Sequence, residues 1–182
     1  YAVMSKESMA WLRDKIQDLR NISSIPRNIS SEAFRQDKRF MLGKMYCFFY
    51  DPKGKDDLPY YDRFPLVMPL KRDTEGFIGL NFHYLPIRYR INFMKKLLNL
   101  AIYNDEDEIK RIRITYPILD SSSRFKEFRP CIKRYLYPHI KSRILKVDGK
   151  EWDIAMYLPV QQFKKAPAKT VWQDSIQDIR NQ

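Results

Sequence analysis

The sequence predicts an α+β fold: a small, highly curved, β-barrel-like core, for which an SH3-like form is one option, with peripheral helices. Three observations carry this. Short β-prone segments rich in aromatics and punctuated by Gly and Pro fall between residues 43 and 85. Amphipathic helical patterns lie before, after and between them. The chain of 182 residues, 44% hydrophobic and 14% aromatic, is about one domain long and can fill a sizeable core.

Taken in order, residues 5–22 place Met9, Leu12, Ile16 and Leu19 at steps of three, four and three behind Ser5, a reasonable N-cap. Residues 22–41 are polar and read as a linker, with a short helix within it as an option. Residues 1–42 are therefore assigned to an N-terminal helix and linker, and 43–182 to a single α+β domain with a C-terminal helix. Strands are expected over 43–51, 63–73 and 76–85, the last two joined by a turn at Asp73–Gly76. Pro86 stands where the first residue of a helix would be, with Ile87, Ile91, Met94, Leu97, Leu98 and Ala101 as its apolar face. Residues 104–108 form an acidic loop, and 111–118 alternate as a strand would. Within 124–146, Pro130 and Pro138 argue for two short helices or a kinked one. Residues 151–160 read as a final strand. Residues 170–180 read as a closing helix, with Thr170 and Gln173 spaced as a capping box.

The charge is uneven. The chain carries 34 Lys and Arg against 22 Asp and Glu, a formal net charge of +12. Residues 124–146, RFKEFRPCIKRYLYPHIKSRILK, hold eight basic residues and one acid, Glu127, which is +7 of that total. A solvated helix face normally interleaves both signs, as residues 5–20 do. An imbalance of eight to one repels itself unless a polyanion relieves it. The run therefore points to backbone contacts with nucleic acid through Arg124, Lys126, Arg129, Lys133, Arg134, Lys141, Arg143 and Lys146. Arg88 and Arg90 at the start of the 86–102 helix extend the patch. The aromatic–Pro loop at 50–65 has two readings. It folds its rings onto the core, with Asp62 and Arg63 pairing locally, or it offers Tyr60 and Tyr61 to stack on bases.

Catalytic signals are thin. His83 and His139 are the only histidines and neither sits in a Ser or Cys arrangement; His83 reads as a satisfied, half-buried residue. Glu108 and Lys110 have a spacing used by some metal-dependent nucleases and would need a partner such as Asp62 or Asp73. Cys47 and Cys131 are far apart with no metal-ligand spacing, which suggests a reducing compartment, and Cys131 reads as a packed residue. No metal or cofactor is expected. No apolar run approaches the roughly 20 residues that span a bilayer, so no membrane partner is expected.

Four stretches carry a resemblance: GKMYCFFYDPKGKDDLPYYDRFPLVMPLKRDTEGFIGLNFHYLPIRYR, RFKEFRPCIKRYLYPHIKSRIL, EWDIAMYLPVQQFKKA and VWQDS. Over roughly residues 43–175 the chain resembles virion-associated proteins of T-even-type tailed bacteriophages, the DNA end protector (head completion) family. The resemblance implies a non-enzymatic virion protein that binds the ends of packaged double-stranded DNA, shields them from host exonuclease and helps finish heads. It implies double-stranded DNA and phage head, portal or neck proteins as partners, homo-oligomerisation as an option, and the host cytoplasm as the place of assembly. It supplies no catalytic residue to carry over. A structural neck, tail or baseplate component without specific DNA binding remains the rival reading, and a metal-dependent nuclease the third.

Overall fold

An antiparallel sheet of five strands organises the residues that the computed structural model describes, namely 10, 11, 13, 14, 17, 40–100 and 123–182. The strands are β1 (Met45–Cys47), β3 (Leu66–Arg72), β4 (Gly76–Asn81), β5 (Ile132–Leu136) and β6 (Leu145–Val147), in the order β5-β4-β3-β1-β6. A separate two-stranded pair joins β2 (Tyr61–Asp62) to β7 (Phe163–Lys164). The helices are α1 (Ile87–Leu100), α2 (Phe128–Cys131), α3 (Trp152–Tyr157) and α4 (Ala168–Arg180).

Strand alternation explains how the sheet is buried on both faces. Along β3, Leu66, Met68 and Leu70 join one core cluster and Val67 the other. The first cluster lies under the helices, where Phe93, Met94 and Leu97 of α1 meet Trp152, Ala155 and Met156 of α3. The second is almost wholly aromatic: Phe40, Tyr46, Phe48, Tyr50, Phe77, Tyr135 and Tyr137 with Val67 and Ile140. Its rings meet edge-on, as Phe48 on Tyr135 at 5.6 Å, or stacked, as Phe77 on Tyr135 at 5.3 Å. Tyr46, Phe48 and Tyr50 thus build core, as their alternation suggests. Pro69 sits inside β3 and cannot donate to a ladder, and the β3–β4 register shifts between Pro69 and Lys71. The β3–β4 turn is held by Asp73, whose carboxylate accepts the Glu75 and Gly76 N–H groups at 2.8 and 2.9 Å. A Cβ on Gly76 would lie 1.9 Å from the Tyr135 carbonyl oxygen, so only glycine fits there.

The α+β class holds, and the strands expected at 43–51, 63–73 and 76–85 lie at β1, β3 and β4. Among the described residues no ladder joins the edge strands β5 and β6, so the sheet is not closed into a barrel. Instead the chain leaves β5, turns through a 3-10 segment at Tyr137–His139 and reaches the opposite edge at β6. On the way Tyr50 bridges to Ile140, and the Tyr50 hydroxyl accepts the Leu136 N–H at 2.9 Å.

Several expectations are corrected. Residues 124–146 are not two helices but one helical turn, two strands and a 3-10 turn. Pro130 and Pro138 remove helical donors, and Tyr135 and Tyr137, two apart, both enter the aromatic cluster. Residues 151–160 are not a strand, because Trp152, Ala155 and Met156 at steps of three and one bury a helical stripe. The final helix begins at Ala168 with Pro167 as its N-cap, so Thr170 lies inside it and forms no capping box. The Pro86 carbonyl accepts the Arg90 N–H at 3.0 Å, which makes Pro86 the residue before the first helical position. Of the expected 5–22 helix, the described positions 10, 11, 13, 14 and 17 are helical, and Trp11 is buried against the first cluster. The 104–108 loop, the 111–118 strand, Ala101 and the Glu108–Lys110 pair lie outside the described residues.

Candidate nucleic-acid interface

The basic run is divided by the strand it contains. Arg124, Lys126 and Arg129 precede β5, while Lys141, Arg143 and Lys146 follow it. β5 runs from Ile132 opposite Leu80 to Leu136 opposite Gly76, about 13 Å at ~3.3 Å per residue. The two groups are therefore not on one helical face: the first precedes the β5 edge, and the second runs from the end of β5 across to the opposite edge at β6.

At the first end the chain is tied to α1 and α4. The Lys96 ammonium donates to Glu127 at 2.6 Å, and the Lys126 carbonyl accepts the Gln182 side-chain amide at 2.9 Å. Arg129 pairs with Asp178 of α4 at 3.5 Å. Arg124 and Lys126 are exposed and have no ion pair among the described residues. On β5 itself, Lys133 lies over the Tyr84 ring at 4.0 Å, where burial lowers its pKa. Arg134 is exposed and grips Asp73 with both terminal guanidinium nitrogens, at 2.5 and 2.9 Å. That bond, with the Glu75 amide, holds the Asp73 carboxyl well below the usual range. At the far end Lys141, Arg143 and Lys146 are exposed; Lys141 reaches the Pro138 carbonyl at 3.4 Å, and Lys146 stands opposite Tyr46 in the β6–β1 ladder. Among the described residues none of the three has a carboxylate partner.

Arg88 is exposed on the first turn of α1, but Arg90 is fully buried. Arg90, Phe93, Met94 and Leu97 form the buried stripe of that helix, so the arginine points inward. Its guanidinium donates to the carbonyls of Leu85 at 2.7 Å and of His83, Met156 and Leu158 at 3.4 Å, and to the Gln161 side chain at 3.3 Å. It lies 5.6 Å from the Trp172 ring centre. Burial draws its pKa down to about 10, which leaves it charged at neutral pH. The expectation that Arg90 meets a phosphate is corrected: its five donors face its own chain.

Asp62 and His83 also differ from expectation. Asp62 does not pair with Arg63. It is buried, and its carboxylate accepts the Phe64 and Gln162 N–H groups at 3.0 and 3.1 Å, the Asn81 amide at 3.0 Å and the His83 Nδ1–H at 2.8 Å. Asn81 in turn accepts the Leu66 and His83 N–H groups at 3.3 and 3.0 Å. Burial pushes the Asp62 carboxyl up, but His83 and the hydrogen bonds outweigh it and hold it below the ordinary value. His83 is fully buried rather than half-buried, and burial lowers its pKa, so the ring is neutral with its proton on Nδ1. Its Nε2 has no hydrogen-bond partner among the described residues.

Tyr60 and Tyr61 are half-buried. The Tyr60 hydroxyl donates to Asp174 at 3.0 Å, and burial together with that bond pushes its pKa up to about 12. Tyr61 pairs with Lys164 in the β2–β7 ladder. Cys131 is packed, and burial pushes its thiol up, which leaves it unreactive. Asp62 lies in its buried cluster and Asp73 under Arg134, while Glu108 lies outside the described residues. Among the described residues no group of three or more His, Cys, Asp or Glu could hold a metal ion, and no helix is long and apolar enough to cross a membrane.

Sequence reasoning missed the buried cluster of Asp62, Asn81, His83 and Arg90. One signal was available: position 90 falls in register with 93, 94 and 97 as the fourth member of the buried stripe.

No curated protein and no solved structure matches the chain. A family model described as the phage T4 terminal DNA protecting protein matches residues 2–175, and the chain belongs to that family.

Proposed function

We propose that the protein binds the ends of packaged double-stranded DNA in the virion and shields them while the head is completed, without an enzymatic step of its own. Arg124, Lys126, Lys141, Arg143 and Lys146, with Arg88, hold the phosphates. The observation that carries this reading is unspent charge. Of the eight cations in the run, Arg129 and Arg134 pair with carboxylates and Lys133 is packed on Tyr84. The other five are exposed without an acidic partner among the described residues. Phosphate contacts of this kind set position and affinity but read no bases.

The test is a salt titration of duplex binding. Affinity falls linearly on a log–log plot, with slope about −0.9 per phosphate neutralised. Four to six contacts give roughly −4 to −5. Arg143→Gln with Lys146→Gln reduces the magnitude by about two, equally for all sequences. An unchanged slope and affinity in that double variant removes the far end of the run from the interface. The rival reading, a neck or tail component whose basic face meets acidic subunits, then leads. Arg129 and Arg134, which already pair with the carboxylates of Asp178 and Asp73, make the kind of contact that reading invokes.

A further inference from the structure

Phosphate contacts alone cannot tell the end of a duplex from its interior, because the backbone continues through both. An end differs in one respect: its last base pair turns a flat, apolar face to water. A protein that discriminates ends needs a matching apolar surface set among cations.

The turn before β1 has this character. The Lys44 N–H donates to the Met41 carbonyl at 3.2 Å, with Leu42 and Gly43 between them and Gly43 at φ 78°. That positive φ belongs to the third residue of a type II turn and favours glycine. The tip carries Met41 and Leu42, which are 51% and 38% exposed. Most large apolar side chains of the described sheet are buried, so two adjacent exposed ones at a turn tip are a distinct feature.

The tip is also fixed in place. The Gly43 N–H donates to the Pro69 carbonyl at 3.1 Å, and the Met41 N–H donates to the buried Tyr46 hydroxyl at 2.9 Å. These two anchors place cations beside it. Lys71 and Arg72 follow Pro69 on β3 by two and three residues, within about 10 Å at ~3.3 Å per step, and both are exposed. Lys146 stands opposite Tyr46 on β6, and the charge of Arg72 also reaches the Tyr46 phenol. Arg72 opposite Phe77, and Lys146 opposite Tyr46, share the aromatic face of the sheet.

We propose that the Met41–Leu42 tip abuts the terminal base pair of a duplex, while Arg72 and Lys146 hold the phosphates beside it. The occupant is a blunt duplex end, chosen because an apolar tip ringed by positive charge complements an apolar base face ringed by phosphate. Met and Leu are also side chains that proteins set against unstacked base steps. This inference rests on the DNA-end reading above. It adds the element that recognises the terminus.

The experiment compares a short blunt-ended duplex with the same duplex closed at both ends by hairpin loops. The duplex parts of the two probes carry the same backbone charge; the closed probe adds only its loop phosphates and lacks the exposed terminal pair. The full chain is expected to prefer the open duplex. Met41→Ser with Leu42→Ser reduces that preference by about tenfold, as expected from withdrawing partly exposed apolar side chains from a base face, and leaves binding to the closed duplex within about twofold and the salt slope unchanged. Arg72→Gln with Lys146→Gln weakens binding to both probes and lowers the slope by about two. A Ser double variant that keeps the full end preference overturns the inference and leaves the DNA-end reading standing; the tip is then a protein contact. A parent protein with no preference between the probes overturns both.

Discussion

Two charged regions of this protein solve the same electrostatic problem in opposite ways. Asp62, Asn81, His83 and Arg90 come from separate elements and are gathered into one buried cluster. There nearly every donor and acceptor is met by the chain itself. The basic residues of 124–146 are contiguous in sequence and are separated by β5, with five left in water. A buried charge must be satisfied internally, because desolvation costs several kcal/mol per ion. An exposed surplus costs little locally and leaves a field for something else to neutralise. Substitutions in the first region should therefore damage folding, and those in the second should damage binding alone.

The sharpest test of this contrast is Asp62→Ala. It strands the Asn81 amide, the His83 ring and the Phe64 and Gln162 N–H groups in a buried site, and leaves the buried Arg90 charge without its nearby counter-charge. A loss of about 3–5 kcal/mol is expected, read by urea unfolding. A loss below about 1 kcal/mol, the level of a surface pair, would mean that water already enters the cluster.

A smaller effect follows from pH. His83 has its pKa lowered from 6.5 by burial, so the unfolded chain takes up a proton that the folded one refuses. Stability is then lost as pH falls below about 6.5, at up to ~1.4 kcal/mol per pH unit. Asp62, lowered from 3.8, adds a second loss in the same direction below that value. Unfolding at pH 7.5 and 5.5 should differ by about 1 kcal/mol from His83 alone. His83→Gln should flatten that difference, whatever it does to absolute stability. Arg90 and Tyr84 also face this cluster, but both keep one charge state across the interval. The smallest effect belongs to the other region. Arg143→Gln with Lys146→Gln should change stability by no more than about 0.5 kcal/mol, while the proposed DNA contact predicts weaker binding.

The same contrast explains what could be read in advance. Alternation at Tyr46, Phe48 and Tyr50 and the Asp73–Gly76 turn were local patterns, and local patterns survive folding. The run at 124–146 misled because its apolar residues fit a helix nearly as well as a strand, and only the aromatic cluster across the sheet decides between them. The same ambiguity turned 151–160 from an expected strand into α3. Asp62 and His83 could not be paired from the chain, since nothing in a 21-residue separation announces a hydrogen bond. Arg90 looked like a surface cation because arginine usually is one.

The pairing of β1 with β6 has a consequence for how the chain reaches this state. Met45 lies beside Val147, so about a hundred residues must be made before that ladder can form. During synthesis β1, with Tyr46 on it and Phe48 just after it, waits beside β3 with one edge bare. Late, long-range pairing of this kind slows folding and leaves an aromatic edge open to other nascent chains. Yield should therefore fall as expression speed and temperature rise, even where the finished protein is stable.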